Sequence, residues 1–299
     1  MLYAKEDFSC ADCAAYESAV RSLEQGEHQD VTAAKATSIE QETILKYHRR
    51  RTDPDSILLA GEQLLQSAAI YSQPYAFAAF SVAESHLKLF NEPAYERARS
   101  LLQPLQFEVS LRPLVDFYLL VLDATYDQKF TLNAERISIR LLNAISEAEQ
   151  FHPEMVPDLM IPLCEAYSYL GLFHLIIDQA KYFKSEIKSR VKDELDAIKY
   201  DHGLAQILHS LQRYQKAGNM QEQAAERLLK YPERLPALLA NCYFYAGEAC
   251  YRQHRDASCL PLYEAAVQTK RRKDYIEMYV AILSTSLNSR GTVRQPLYW

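Results

Sequence analysis

Apolar residues recur at three- and four-residue steps along nearly the whole chain, and period-two alternation is almost absent. In "SILLAGEQLLQSAAIYSQ", Ile57, Leu58, Leu64, Leu65, Ala68 and Ala69 make one stripe, the spacing that lines one face of a helix. A chain whose only periodicity is helical must bury those stripes helix against helix. Glycine usage agrees. Only 7 of the 299 residues are glycine, too few for a set of hairpin turns between strands, whereas helices joined by short polar loops need few. Prolines fall between the periodic segments, at Asp53-Pro54, Glu92-Pro93, His152-Pro153 and Tyr231-Pro232, where a helix start accepts a residue without an N–H. Their spacing predicts helices of about 12 to 18 residues. The expected fold class is all-α.

A chain of 299 residues buries about three quarters of the surface its unfolded form exposes, so stability requires neither metal nor disulfide. Hydrophobic residues at 48% and charged residues at 24% exclude a disordered chain. The net charge of −6 opposes broad nucleic-acid binding, which needs a basic surface. Lys5, Glu6 and Asp7 stand where a secretory segment would be apolar, and no later run is long and apolar enough to span a bilayer. A cytoplasmic location without membrane contact is therefore expected, and the 6 cysteines are expected to be reduced thiols rather than three disulfides.

Residues 1–52 read as a separate N-terminal helical segment, polar from Glu24 to Gln41 and ending in Lys46-Tyr47-His48-Arg49-Arg50-Arg51. The basic run suits a solvated helix end, where cations complement the macrodipole. A helix-turn-helix drawn through "VTAAKATSIEQETILKYHRRR" would have very short helices and no glycine at its Thr37-Ser38 turn. Nucleic acid is not the expected partner, and this segment is the one place it would touch.

Three cysteines and a histidine, Cys242, Cys250, His254 and Cys259, sit in "NCYFYAGEACYRQHRDASCLPLYEAAVQTK". A zinc reading lacks a fourth convergent ligand. Packing accounts for them better: two antiparallel helices approach closely where small residues meet, and Gly247, Cys250, Cys259 and Ala266 are such places. The CxxC of Cys10 and Cys13 has no second cysteine or histidine pair nearby and no βαβ context. No metal is assigned.

Counted from Ala240, Tyr243, Ala246, Gly247, Cys250, Cys259, Tyr263 and Ala266 take the bulky, small and aromatic positions of a helical hairpin repeating every ~34 residues. This unit resembles a tetratricopeptide (TPR) motif, departing from it at His254, where a turn glycine is usual, and at Arg271, near the usual closing proline. Weaker copies start at Leu204 (Leu211, Tyr214, Gly218), with "QRYQKAGNMQEQAAERLL" read as helix, turn, helix, and at Pro157 (Leu163, Tyr167, Gly171, Phe173). A further outline, "VAESHLKLFNEPAYERARSLLQPL", has Pro93 in its turn and Ala98 at the small position. The resemblance implies a degenerate TPR-like α-solenoid of antiparallel hairpins over residues 53–299, with a concave face lined by the first helix of each pair.

Glycine-rich phosphate loops, GxSxG, HExxH and paired ExxH motifs are absent. His86, His152 and His174 lie in apolar surroundings that suit packing. No enzymatic activity and no cofactor is expected. Carried over by position, the TPR resemblance implies partner-binding roles for Asn241, Tyr245, Glu248 and Arg252, for His209, Gln212 and Lys216, and for Glu165 and Tyr169. Amides, charges and tyrosines in this set suit an extended peptide or protein segment. The overall pattern is also similar to the peptide-sensing regulators of Gram-positive bacteria and their phages, in which a short secreted peptide, as in quorum sensing, enters the groove and shifts the solenoid between states. A structural adaptor of a multiprotein assembly explains the same sequence without a switch, and a DNA-binding regulator is the third reading. Homo-oligomerisation is left open.

Overall fold

The computed structural model describes residues 38–289 except 52, 132, 232–234, 255, 256 and 272. Cys10, Cys13 and Pro232 lie outside the described residues. Among those described there are thirteen α-helices and no strand. They are α1 (Ser38–Arg51), α2 (Pro54–Ser67), α3 (Gln73–Lys88), α4 (Glu92–Ser100), α5 (Arg112–Tyr126), α6 (Ala134–Phe151) and α7 (Val156–Tyr169). Then follow α8 (Phe173–Tyr182), α9 (Glu194–Ser210), α10 (Tyr214–Lys230), α11 (Pro236–His254), α12 (Leu260–Thr269) and α13 (Lys273–Ser289). The fold is all-α.

Local chemistry sets the helix starts. Pro54, Pro74, Pro93, Pro113, Pro157 and Pro261 occupy first turns, where the missing N–H costs no helical bond. Ser72, Asn91, Asn133 and Asp193 each accept a backbone N–H three residues on, so these four helices begin with a satisfied donor. Two tight turns close without glycine: Phe90 after α3 and Gln212 after α9 adopt φ of 56° and 58°.

Consecutive helices pack against one another, and odd-numbered helices also reach the next odd one at α1–α3, α3–α5, α7–α9 and α9–α11. One contiguous core runs from Leu45 through Leu208 and ends at Ala217 and Ala249, with Phe80, Phe117, Tyr118, Leu163 and Phe183 at its centre. Three smaller clusters hold α9 to α13 together.

Three expectations change. The turn expected around Gly218 is absent: α10 runs unbroken from Tyr214 to Lys230, and the hairpin bends earlier, at Leu211 to Arg213. Gly218 is there for proximity instead, since a Cβ on it would lie 3.5 Å from that of Ala249 on α11. Second, Cys250 and Cys259 are joined as a disulfide between the end of α11 and the start of α12, whereas Cys164 and Cys242 are free and buried, as small apolar residues are. The close approach read for this hairpin is present as well: a Cβ on Gly247 would meet the Tyr263 ring at 3.0 Å.

Third, the basic run ending α1 is not simply solvated. Arg49 Nη1 donates to Glu84 Oε2 at 2.7 Å and to Ser81 Oγ at 3.1 Å, and its guanidinium lies 4.9 Å from the Phe80 ring centre. Arg50 pairs with Asp193 and, at 2.8 Å, with Asp196, while Lys270 pairs with Asp53 and, at 2.9 Å, with Asp55. These pairs join residues 143, 146 and 217 positions apart. Helix α1 belongs to the same compact unit as the described residues that follow it.

Candidate functional site

The nine residues read as partner-binding separate into groups. On α11, Asn241, Tyr245, Glu248 and Arg252 fall within ~60° of one another at 100° per residue, so they share one stripe. The two edges of the stripe are occupied differently. Toward the C-terminal helices, Asn241 Oδ1 accepts from the Tyr275 hydroxyl of α13, and Glu248 accepts from the Tyr263 hydroxyl of α12 at 2.7 Å. Toward α9, the Tyr245 ring meets His202 edge-on with centroids 5.8 Å apart. Arg252 is 54% exposed in its side chain, with Nε 4.0 Å from Glu248.

His209, in the last turn of α9, completes this second edge. Its ring packs edge-on against Tyr214 with centroids 5.0 Å apart, and its Nε2 is buried without a hydrogen-bond partner. Burial, reinforced by the positive charge of Arg252, pushes its pKa down to about 4. A neutral imidazole beside a guanidinium, with one ring nitrogen unsatisfied, is a place where an incoming polar group gains a bond that water does not already supply.

Glu165 and Tyr169 stand one turn apart on α7. Glu165 is half-buried and accepts from Gln128 Nε2, just past α5, at 3.2 Å. Burial raises its carboxyl above the usual range, and the Gln128 bond and the Lys129 charge reverse that only in part. Tyr169 is 83% exposed. Gln212 and Lys216 do not join this face through a first helix, because Gln212 lies in the turn and Lys216 on α10, both exposed. Their placement on a first helix followed from the turn expected at Gly218.

Other polar clusters are closed to reactants. His202 is buried, donates from Nδ1 to Gln221 Oε1 at 2.7 Å and accepts from Gln206 Nε2 at 2.6 Å, and burial lowers its pKa to about 4. The Tyr118–His152–Glu154 relay, with links of 2.8 Å and 2.8 Å, has the geometry of an acid–base chain, but Tyr118 is 1% exposed and burial raises its phenol. Burial likewise pushes the Cys164 and Cys242 thiols up to about 12, which leaves them inert as nucleophiles. Among the described residues no three histidine, cysteine or acidic side chains gather as a metal set, and no helix is long and apolar enough to cross a membrane.

Sequence reasoning missed the His202–Gln206–Gln221 network. The i, i+4 spacing of His202 and Gln206 was its visible trace, but Gln221 comes from another helix. It also missed Val109, 85% exposed, and Phe107, 89% exposed at a shallow groove of about 470 Å³ that it lines with Tyr71 and Pro104. A scan against protein-family models finds no match, and a comparison with curated proteins finds none either.

Proposed function

We propose that this protein is a non-enzymatic, TPR-like α-solenoid that binds a peptide or protein segment along the face formed by α7, α9 and α11. The observation that carries the reading is the unsatisfied, buried Nε2 of His209 beside the exposed Arg252: a polar site left open within a layer whose other buried polar groups are bonded. Glu165, Tyr169 and Tyr245 supply further contacts from neighbouring odd helices, a distribution suited to an extended ligand. Control by a short signalling peptide, as in the regulators the sequence resembles, is the specific form of this reading.

The structural adaptor is the second reading, favoured by the exposed Phe107 and Val109, since contiguous exposed apolar surface marks contact with another protein. The two separate in one experiment. Peptides selected on the wild-type protein from a displayed library of random decapeptides should bind at least ten-fold more weakly to the Tyr169→Ala/Arg252→Ala double variant, whose side chains are exposed. Phe107→Ser should leave that binding unchanged. Failure to enrich any peptide, or loss of binding in Phe107→Ser alone, would overturn the α7–α9–α11 face in favour of the adaptor.

A further inference from the structure

Resting on that reading, the geometry points to a ligand bound with a fixed electrical polarity: an acidic group at His209 and Arg252, and a cationic group about four residues away at Glu165. The two ends of the face carry opposite chemistry. At one end, between the last turns of α9 and α11, stand an exposed guanidinium and a buried imidazole nitrogen without a partner. A carboxylate placed between them accepts from Arg252 and from His209 Nε2–H, and its charge makes that proton easier to keep. Among the described residues Arg252 pairs with Glu248, whose carboxylate at 4.0 Å already accepts from Tyr263, so the guanidinium keeps donors to spare.

At the α7 end the charge is reversed. Glu165 holds one protein hydrogen bond, at 3.2 Å, and a carboxylate accepts about four. Lys129 sits close enough to act on it, but its ammonium is 4.6 Å over the Phe90 ring centre, and the net effect of the surroundings still raises the Glu165 carboxyl. An ammonium or guanidinium brought by the ligand relieves that half-buried charge.

Spacing connects the ends. Packed helices lie ~8–10 Å apart, and α7 and α11 each pack on α9, so a group bridging His209 on α9 and Arg252 on α11 stands about 14 Å from α7, which an extended chain covers in about four residues at ~3.3 Å each. Because both ends are side-chain charges, the order of charge, rather than chain direction, decides how the segment lies.

The displayed decapeptide library reads this without knowledge of the natural ligand. Wild-type selection should enrich an acidic and a basic residue about four positions apart, in either order, each at least five-fold over the starting library. Selection on Arg252→Gln should lose the acidic preference and keep the basic one, and selection on Glu165→Gln should do the reverse, both variants first shown by circular dichroism to keep the wild-type helical spectrum. Should Glu165→Gln misfold, Arg252→Gln alone still decides the acidic end. Peptides that need Tyr169 and Arg252 for binding yet show no charge preference, or a preference unaltered in either variant, would overturn the polarity while leaving the binding face intact. Enrichment of no peptide at all would overturn the face and the polarity together.

Discussion

The packing of α3 to α7 and that of α11 to α13 solve the same problem with different materials. In the first region large rings fill the space between helices: Phe80 stacks on Tyr118 with centroids 4.4 Å apart, and Phe77 and Phe117 stack on His152 at 5.8 Å and 6.0 Å. In the second, one ring cluster, Phe244 stacked on Tyr275 at 4.9 Å and edge-on to Tyr263 at 5.8 Å, is set among the small residues Ala240, Ala266 and Cys259. Its register is then picked out by polar bonds, Tyr263 to Glu248 and Tyr275 to Asn241, and by the Cys250–Cys259 disulfide. A single contiguous core resists local opening, whereas small separate clusters joined by polar links open more readily. The candidate face spans both regions, with Glu165 on the rigid one and Arg252 on the adaptable one, so any rearrangement on binding is expected at the α11 end.

The largest effect should come from truncating the ring core. Phe80→Ala, at a site with 0% exposure, is expected to cost about 3–5 kcal/mol and to lower the urea midpoint of the whole unit. Tyr263→Ala is expected to open α11 to α13 without unfolding α3 to α7, seen as faster amide exchange confined to residues 236–289. Equal exchange in both regions would erase the distinction between them.

Acid should separate the regions next. His202 has its folded pKa depressed to about 4 by burial, so the unfolded chain binds more protons and stability falls as pH drops from about 6.5 to about 4, by about 2–3 kcal/mol. For Glu84, burial acts upward, but the charges of Arg49 and Lys88 prevail and hold the carboxyl at about 2. Its contribution is intact above about 4.5 and is lost as pH falls toward 2. Exchange at α9 to α11 should therefore rise between pH 6 and 4, before that at α1 to α3. His202→Leu should remove about half of the first step and leave the rest to His209, whose pKa burial also lowers to about 4.

These contrasts also show what was legible in the sequence. Helix positions could be read because each depends on a local signal, as at Pro54 and Pro93, and on a periodicity contained in one segment. The bend before α10 was misplaced because Gly218 carries the same letter whether it turns a chain or admits Ala249. Arg49 looked like a solvated cation because its partner Glu84 is on another helix. The stripe on α11 followed from helical arithmetic, but the use of Asn241 by Tyr275 and of Glu248 by Tyr263 did not, since pairings between helices depend on register that spacing within one helix does not fix.

Breaking the disulfide tests the adaptable region alone. The bond closes a short loop, its cysteines 9 positions apart, so reduction, or Cys250→Ser/Cys259→Ser, is expected to cost about 2 kcal/mol, again confined to amide exchange in α11 to α13. Alkylation of the denatured chain with and without prior reduction, followed by peptide mapping, should find the two thiols that appear only after reduction at Cys250 and Cys259. An unchanged exchange pattern after reduction would mean that the Tyr263–Glu248 contact fixes the hairpin by itself.

The smallest effect is expected at the two turns closed by non-glycine residues in left-handed conformation. Such a φ costs about 1–2 kcal/mol for a residue with a Cβ. Replacing it by glycine recovers most of that while adding freedom to the unfolded chain, so Gln212→Gly, at an exposed side chain, should stabilise by about 0.5–1 kcal/mol and raise Tm by roughly 1–3 °C. Phe90 has nearly the same φ, 56° against 58°, but its ring faces Phe130 at 6.5 Å and lies beneath Lys129 at 4.6 Å. Phe90→Gly loses those contacts along with the strain and should leave Tm unchanged or lower it. The same backbone strain thus yields opposite outcomes: the ring-packed region converts the strained turn into a contact, while the turn leading into α10 leaves it uncompensated. A rise in Tm for both variants would show that Phe90 contributes no packing and that the rings matter only inside the core.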